Sequence, residues 1–235
     1  MARTRDERRY SVPLYSTAEA ARYLDVPPST LRAWVRGYPR ADGQTGSAGE
    51  PVVTALPPRN GAVIPFVGFA EAFVLTALRR AGVPLQRIRP ALDFLRRELG
   101  LQHALASKRL FTDGAEVLYD YAERQADAAE ARALDLVVVR SGQGVFTEIV
   151  QDYLRRIEFA DDETARLIHL PQYRGADVVM DPDRSFGVPI FARGGNRLED
   201  VIAAFKAGED LDVLVDEFGV PRADLLDVLR VNVAA

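Results

Sequence analysis

From Ser16 to Gly37 the chain reads STAEAARYLDVPPSTLRAWVRG, and its apolar positions repeat with a helical period, break, and repeat again. Ala20, Ala21 and Leu24 make one inner face, and Leu31, Trp34 and Val35 make the next. Ser16-Thr17-Ala18-Glu19 spells a capping box, in which a hydroxyl caps the helix start and a glutamate three residues on reaches back. Asp25-Val26-Pro27 supplies the turn, and Pro28 suits a first helical turn, where its missing N–H costs nothing. The pattern predicts helices over 16–25 and 28–37, joined tightly.

Two short β-type runs follow, Val52–Leu56 and Ala62–Phe66, around the turn-like PPRNG, and predict a hairpin. The apolar segment 67–81 predicts a helix stopped by Gly82. Pro84 opens a second, with Leu85, Ile88, Leu92 and Leu95 on one stripe and Pro90 expected to kink or split it. RLFTDGAEVLYDY reads as strand–turn–strand, LDLVVVRS as a strand and GVFTEIVQDYLRRIEF as a helix. Beyond Pro171 come two apolar runs, Val178–Met180 and Val188–Phe191. Three helical patterns close the chain, carrying Leu198, Val201, Ile202 and Phe205; then Leu211, Leu214, Val215 and Phe218; then Leu225, Leu226, Val228 and Leu229. Gly208 and Gly219 punctuate them.

Composition adds bounds. The chain has 235 residues and no cysteine, which excludes disulfides and cysteine-based metal sites. MARTRDERRY is charged and lacks an apolar core, so it does not read as a secretory signal, and no apolar run reaches membrane-span length. A soluble, cytoplasmic protein is expected. The net charge of -4 hides a gradient. Residues 1–65 carry 9 Lys and Arg against 6 Asp and Glu; residues 176–235 carry 6 against 12. A basic start and an acidic end suggest different partners.

The outward face of the second predicted helix is where chemistry enters. Ser29 and Thr30 lie near its N-terminus, where hydroxyls and backbone N–H groups meet phosphate, and Arg32 and Arg36 lie four apart, within reach of bases or backbone. An amphipathic helix pair with a solvated arginine face would read the same way. The string YSTAEAARYLDVPPSTLRAW, with the hairpin and helix pair after it, resembles the N-terminal winged helix–turn–helix of MerR-type regulators over residues 14–99. That resemblance implies DNA binding. Where the family commonly places glycine, aromatic and arginine in the wing, this chain has Gly61-Ala62-Val63, leaving Arg59 as the wing's cation. The DNA-binding set expected is therefore Ser29, Thr30, Arg32, Arg36 and Arg59.

The C-terminal part resembles a second family, a small domain of formally unknown function with a D-P-x-x-x-x-G-x-P string, a G-T-R-like element and three helices. Here these are Asp181-Pro182 through Gly187-Val188-Pro189, Gly195-Asn196-Arg197, and the helices after it, with Asn196 in the threonine's place. Such domains often occur in antitoxins encoded beside PIN-domain ribonucleases. With the MerR-like front, the chain resembles the larger mycobacterial-type VapB antitoxins. The resemblance implies neutralisation of a VapC-type toxin and repression of the shared operon. Because such toxins hold an acidic catalytic cluster, Arg193, Arg197, Arg222 and Arg230 are candidates to reach it; ordinary surface arginines would look no different.

Enzymatic signals are weak. His103 and His169 have no acid or nucleophile at suggestive spacing, and Arg193-Gly194-Gly195-Asn196 lacks the lysine and spacing of a P-loop. A non-enzyme without cofactor or metal is expected. The fold class expected is mainly α with small β elements: a flexible arm (1–13), a winged helix–turn–helix (14–100), a central α+β extension (101–175) and a trihelical, helix–turn–helix-like domain (176–235). Expected partners are operator DNA, a PIN-domain toxin and a second copy in a homodimer. Two other readings stay open: a ligand-responsive regulator with a pocket lined by Phe111, Tyr119, Tyr121 and Phe146, and a protein-only scaffold.

Overall fold

A computed structural model describes residues 5–39, 47–115, 137–140 and 143–233, and divides the chain into two compact units, Met1–Ala165 and Arg166–Ala235. The described residues are mostly helical with small antiparallel sheets.

The first unit opens with α1 (Arg5–Ser11) and β1 (Pro13–Tyr15). A helix thus stands where polar composition predicts a flexible arm. Its anchor is a long-range pair: Arg9, 2% exposed, bonds Asp162 at 2.7 Å and the Thr164 carbonyl at 3.1 Å. Tyr10 donates to Asp162 Oδ2 at 2.9 Å. Burial works against the ionised Asp162, but the Thr164 N–H, the Tyr10 hydroxyl and Arg9 outweigh it and hold the carboxyl below its ordinary range.

Helices α2 (Thr17–Leu24) and α3 (Pro28–Arg36) follow as predicted, then a strand pair, β2 (Tyr38–Pro39) with β3 (Ser47–Gly49). The expected first hairpin strand, Val52–Leu56, does not form. Val52 and Val53 are buried and give their N–H groups to the Trp34 carbonyl at 2.9 and 3.2 Å. The turn itself does form: Asn60 (φ 50) and Gly61 (φ 81) are both left-handed between the mutually bonded Arg59 and Ala62, a type I′ arrangement. The second arm, β4 (Ile64–Pro65), pairs with β1.

Helix α4 (Phe66–Arg80) is the unit's spine, with every residue from Phe66 to Leu78 buried. Gly68 permits this: a Cβ there would sit 2.2 Å from the Thr54 carbonyl oxygen. Helix α5 (Leu85–Leu99) runs through the exposed Pro90 as one element instead of splitting. It forgoes one hydrogen bond there.

The central stretch departs from expectation. Lys108–Thr112 is a helix, α6, because Ser107 caps it by accepting from Arg109 N–H at 3.2 Å; the predicted strand there does not form. Asp113, the expected turn residue, caps the end of α6, and the rest from residue 116, Tyr119 and Tyr121 included, lies outside the described residues. Val137–Arg140 is the strand expected (β5), and Gln143–Phe146 pairs with it as β6. The predicted helix over 144–159 is therefore shortened to α7 (Glu148–Leu154), before β7 (Ile157–Phe159). Gly144 and the β-branched Val145 and Thr147 favour that early strand.

The second unit holds β8 (Ala165–His169) from Arg166 onward, β9 (Val178–Met180) and β10 (Ile190–Phe191), joined by Ile168↔Met180 and Ile190↔Val179. Its small core includes Leu167, Val179 and Ile190. Helices α8 (Leu198–Lys206), α9 (Leu211–Phe218) and α10 (Arg222–Val233) stand where the periodicity put them. Asp227 locks α10 down, accepting from Gly175 N–H at 2.8 Å and Ala176 N–H at 3.1 Å.

Candidate nucleic-acid interface

The helix–turn–helix is built as its residues dictate. Glu19 N–H donates to Ser16 Oγ at 3.2 Å, and Ser16 N–H returns to Glu19 Oε2 at 2.9 Å. The Ser16 hydroxyl and backbone together hold the Glu19 carboxyl below its usual range. Asp25 ends α2 in the left-handed region (φ 53), its N–H on the Ala21 and Arg22 carbonyls, which turns the chain sharply into α3. Ala20 and Ala21 are fully buried beneath the crossing, and Leu31 and Trp34 close it.

This places the predicted residues unequally. Ser29, Arg32 and Arg36 are exposed, and their i, i+3, i+7 spacing puts them on one stripe of α3. Thr30 is half-buried off that stripe, with its N–H on the Pro27 carbonyl at 2.9 Å. Arg59 stands exposed on a different element, the type I′ turn. Helix α3 carries no acidic residue, so the charges it turns outward, Arg32 and Arg36, are both cationic, and its helix dipole adds positive potential near Ser29.

One supporting residue has no sequence signal. Arg80, in the last turn of α4, bonds Asp25 Oδ2 at 2.9 Å and lies over the Tyr153 ring of α7, whose hydroxyl it also meets. Burial pushes the Tyr153 hydroxyl pKa up, while Arg80 draws it down. The turn before the candidate recognition helix is therefore pinned to α4 and α7 by contacts spanning 55 and 73 residues.

The histidines each meet a carboxylate distant enough in sequence to escape a spacing search. His103 Nδ1 lies 2.9 Å from Oε1 of the buried Glu71, which also accepts from Thr54 N–H at 2.7 Å. Thr54 Oγ1 approaches that same Nδ1, so one nitrogen faces both hydroxyl and carboxylate, and no relay through the ring is formed. His169 meets Asp177 at 2.7 Å. Among the described residues no group of three or more His, Cys, Asp or Glu side chains could hold a metal ion. None of the described helices is long and apolar enough to cross a membrane.

Residues 13–92 match a family model described as "Putative DNA-binding HTH domain". Over 228 residues, 95% of each chain, the sequence is 50% identical to "Putative antitoxin VapB45" of Mycobacterium tuberculosis. This chain belongs to the VapB45 antitoxin family. The family's architecture is also represented by a crystal structure, that of Rv2018 from Mycobacterium tuberculosis. It is 50% identical, with a TM-score of 0.83 over 94% of this chain and 99% of that one. A more distant relative, the uncharacterized protein Rv2308 of the same organism, is 26% identical over 92% of this chain and 88% of its own.

The four arginines considered for toxin contact are all exposed, in the second unit. Arg197 pairs with Glu199 at 3.4 Å, Arg222 with Asp212, and Arg230 with Asp227 at 2.5 Å. Arg193, in the turn after β10, meets no carboxylate among the described residues. Of the aromatics considered for an effector pocket, Phe111 is exposed on α6.

Proposed function

We propose that this chain neutralises a PIN-domain ribonuclease toxin of the VapC type and represses its own operon by binding DNA as a homodimer. The observation that carries the reading is the 50% identity to an antitoxin across nearly the whole of both chains. The DNA-binding face is the stripe Ser29, Arg32 and Arg36, with Arg59 of the turn as an auxiliary phosphate contact; Thr30, off the stripe and with its N–H already on the Pro27 carbonyl, contributes at most its hydroxyl. Two copies would present two α3 helices to half-sites one helical turn apart. Toward the toxin, Arg193 is the foremost of the four arginines, because Arg197, Arg222 and Arg230 already hold carboxylates. Breaking such pairs to meet a partner would offset part of the gain.

The test is co-expression with the product of the adjacent gene, followed by affinity pull-down and a growth assay. Co-purification of a PIN-domain protein and rescue from its toxicity are expected. A neighbour that is no ribonuclease, with nothing co-purifying, overturns the antitoxin reading. An exposed Phe111 lends no support to an aromatic effector pocket.

A further inference from the structure

The connector between β9 and β10 exposes a phenylalanine at a cost in backbone energy. Phe186 is 84% exposed, more than any other large apolar side chain among the described residues. It sits in the left-handed region (φ 56) directly after Ser185 (φ 47) and before Gly187 (φ 78). Glycine adopts that region freely; serine and phenylalanine do not. Strain of this kind persists only where surrounding contacts fix it, and it concentrates at binding sites.

The contacts are present. Asp183 N–H donates to Asp181 Oδ1 at 2.9 Å, Arg184 N–H to the Asp181 carbonyl at 3.0 Å and Gly187 N–H to the Arg184 carbonyl at 2.9 Å. The Arg184 guanidinium crosses to the Ala192 carbonyl and fills the space a side chain would need at Gly195. It thereby braces this turn against the one that carries Arg193. The hydrogen-bonded base spares backbone entropy on docking, and the ring has only two side-chain torsions to fix.

An apolar ring on a turn braced to one bearing Arg193, a cation that meets no carboxylate among the described residues, fits a pocket that is apolar inside and acidic at its rim. Stacking on a nucleobase is disfavoured, because residues 176–235 carry 12 acidic against 6 basic residues and Asp183 lies exposed in the same turn. We infer that Phe186 anchors the second unit to a partner protein, its ring seated in an apolar pocket and Arg193 facing carboxylates at the rim. The inference rests on the antitoxin reading: the partner is the ribonuclease toxin.

Titration of the full chain against the purified toxin tests it. Phe186→Gly removes the ring while suiting the left-handed backbone, so its unfolding midpoint should equal or exceed that of the wild type. Its Kd for the toxin should rise by about 30-fold, whereas Phe186→Trp should stay within about threefold. Operator affinity should be unchanged in both. Toxin binding by Phe186→Gly within about threefold of wild type overturns the inference alone. So does toxin binding that survives while self-association, or capture of a single-stranded oligonucleotide, is lost. Failure of the wild-type chain to bind the toxin overturns the antitoxin reading and this inference with it.

Discussion

The chain carries two helix pairs with the same rhythm, α2–α3 at the front and α9–α10 at the back, and they turn outward surfaces of different charge. In the front pair all six inner residues are at most 8% exposed, and α3 turns outward a stripe with two arginines and no acid. The back pair buries its own inner residues as fully, with Leu214, Leu225 and Val228 inaccessible, but it leaves Val213 and Leu226 about half exposed, and Arg222 and Arg230 are spent on Asp212 and Asp227. Phosphate is attracted by the first surface and repelled by the acidic second. Helix–turn–helix geometry therefore does not nominate a DNA reader by itself; the charge of the outward face does.

The sharpest way to break this comparison is in the packing. Trp34→Ala should cost about 3–5 kcal/mol and lower the first unit's thermal transition, whereas Leu226→Ala should change the second unit's by less than about 0.5 kcal/mol. Equal costs in calorimetry would mean that Leu226 is packed rather than turned outward. Gly68→Ala should destabilise the first unit by about 1–3 kcal/mol, since its methyl would meet the Thr54 carbonyl. Ser16→Ala should cost about 1 kcal/mol through loss of the capping box, measured by denaturant unfolding.

The acid limb offers the smallest effect. Glu19 and Asp162 in the first unit, and Asp227 in the second, all have folded pKa values below the ordinary range. For Asp227, burial opposes ionisation, but the Gly175 and Ala176 N–H groups and Arg230 outweigh it. A lowered folded pKa contributes stability above the unfolded value near 4, which is lost as pH falls through the folded value. Unfolding midpoints should thus be flat from pH 7 to about 5 and drop below about 4. Asp162→Asn should flatten the drop in the first unit only, and Asp227→Asn in the second only.

The helix–turn–helix was legible because every instruction for it is local: a capping box, alanines where helices cross, a proline at the first turn. The three C-terminal helices were legible for the same reason, punctuated by Gly208 and Gly219. What failed to show was held from far away. Nothing in RDERRYS announces that Arg9 is buried against Asp162, so an anchored helix reads as a polar arm. Arg80 looks like an ordinary last-turn cation until Asp25 and Tyr153 come to it. Phe186 stands inside the D-P-x-x-x-x-G-x-P string, but its exposure follows from two left-handed dihedrals, at Ser185 and at Phe186 itself, that neither residue type predicts. In the central stretch, short apolar runs fit strand and helix alike, and the Ser107 cap decided for helix.

Whether α3 reads DNA through Arg32 and Arg36 is decided by titrating the full chain onto the DNA upstream of its own gene across a range of salt, beside Arg32→Ala/Arg36→Ala. The variant should bind at least tenfold more weakly, with a roughly two-unit shallower slope of log K against log salt and an unchanged unfolding midpoint. Equal affinity with parallel salt slopes would rule out reading through these two arginines.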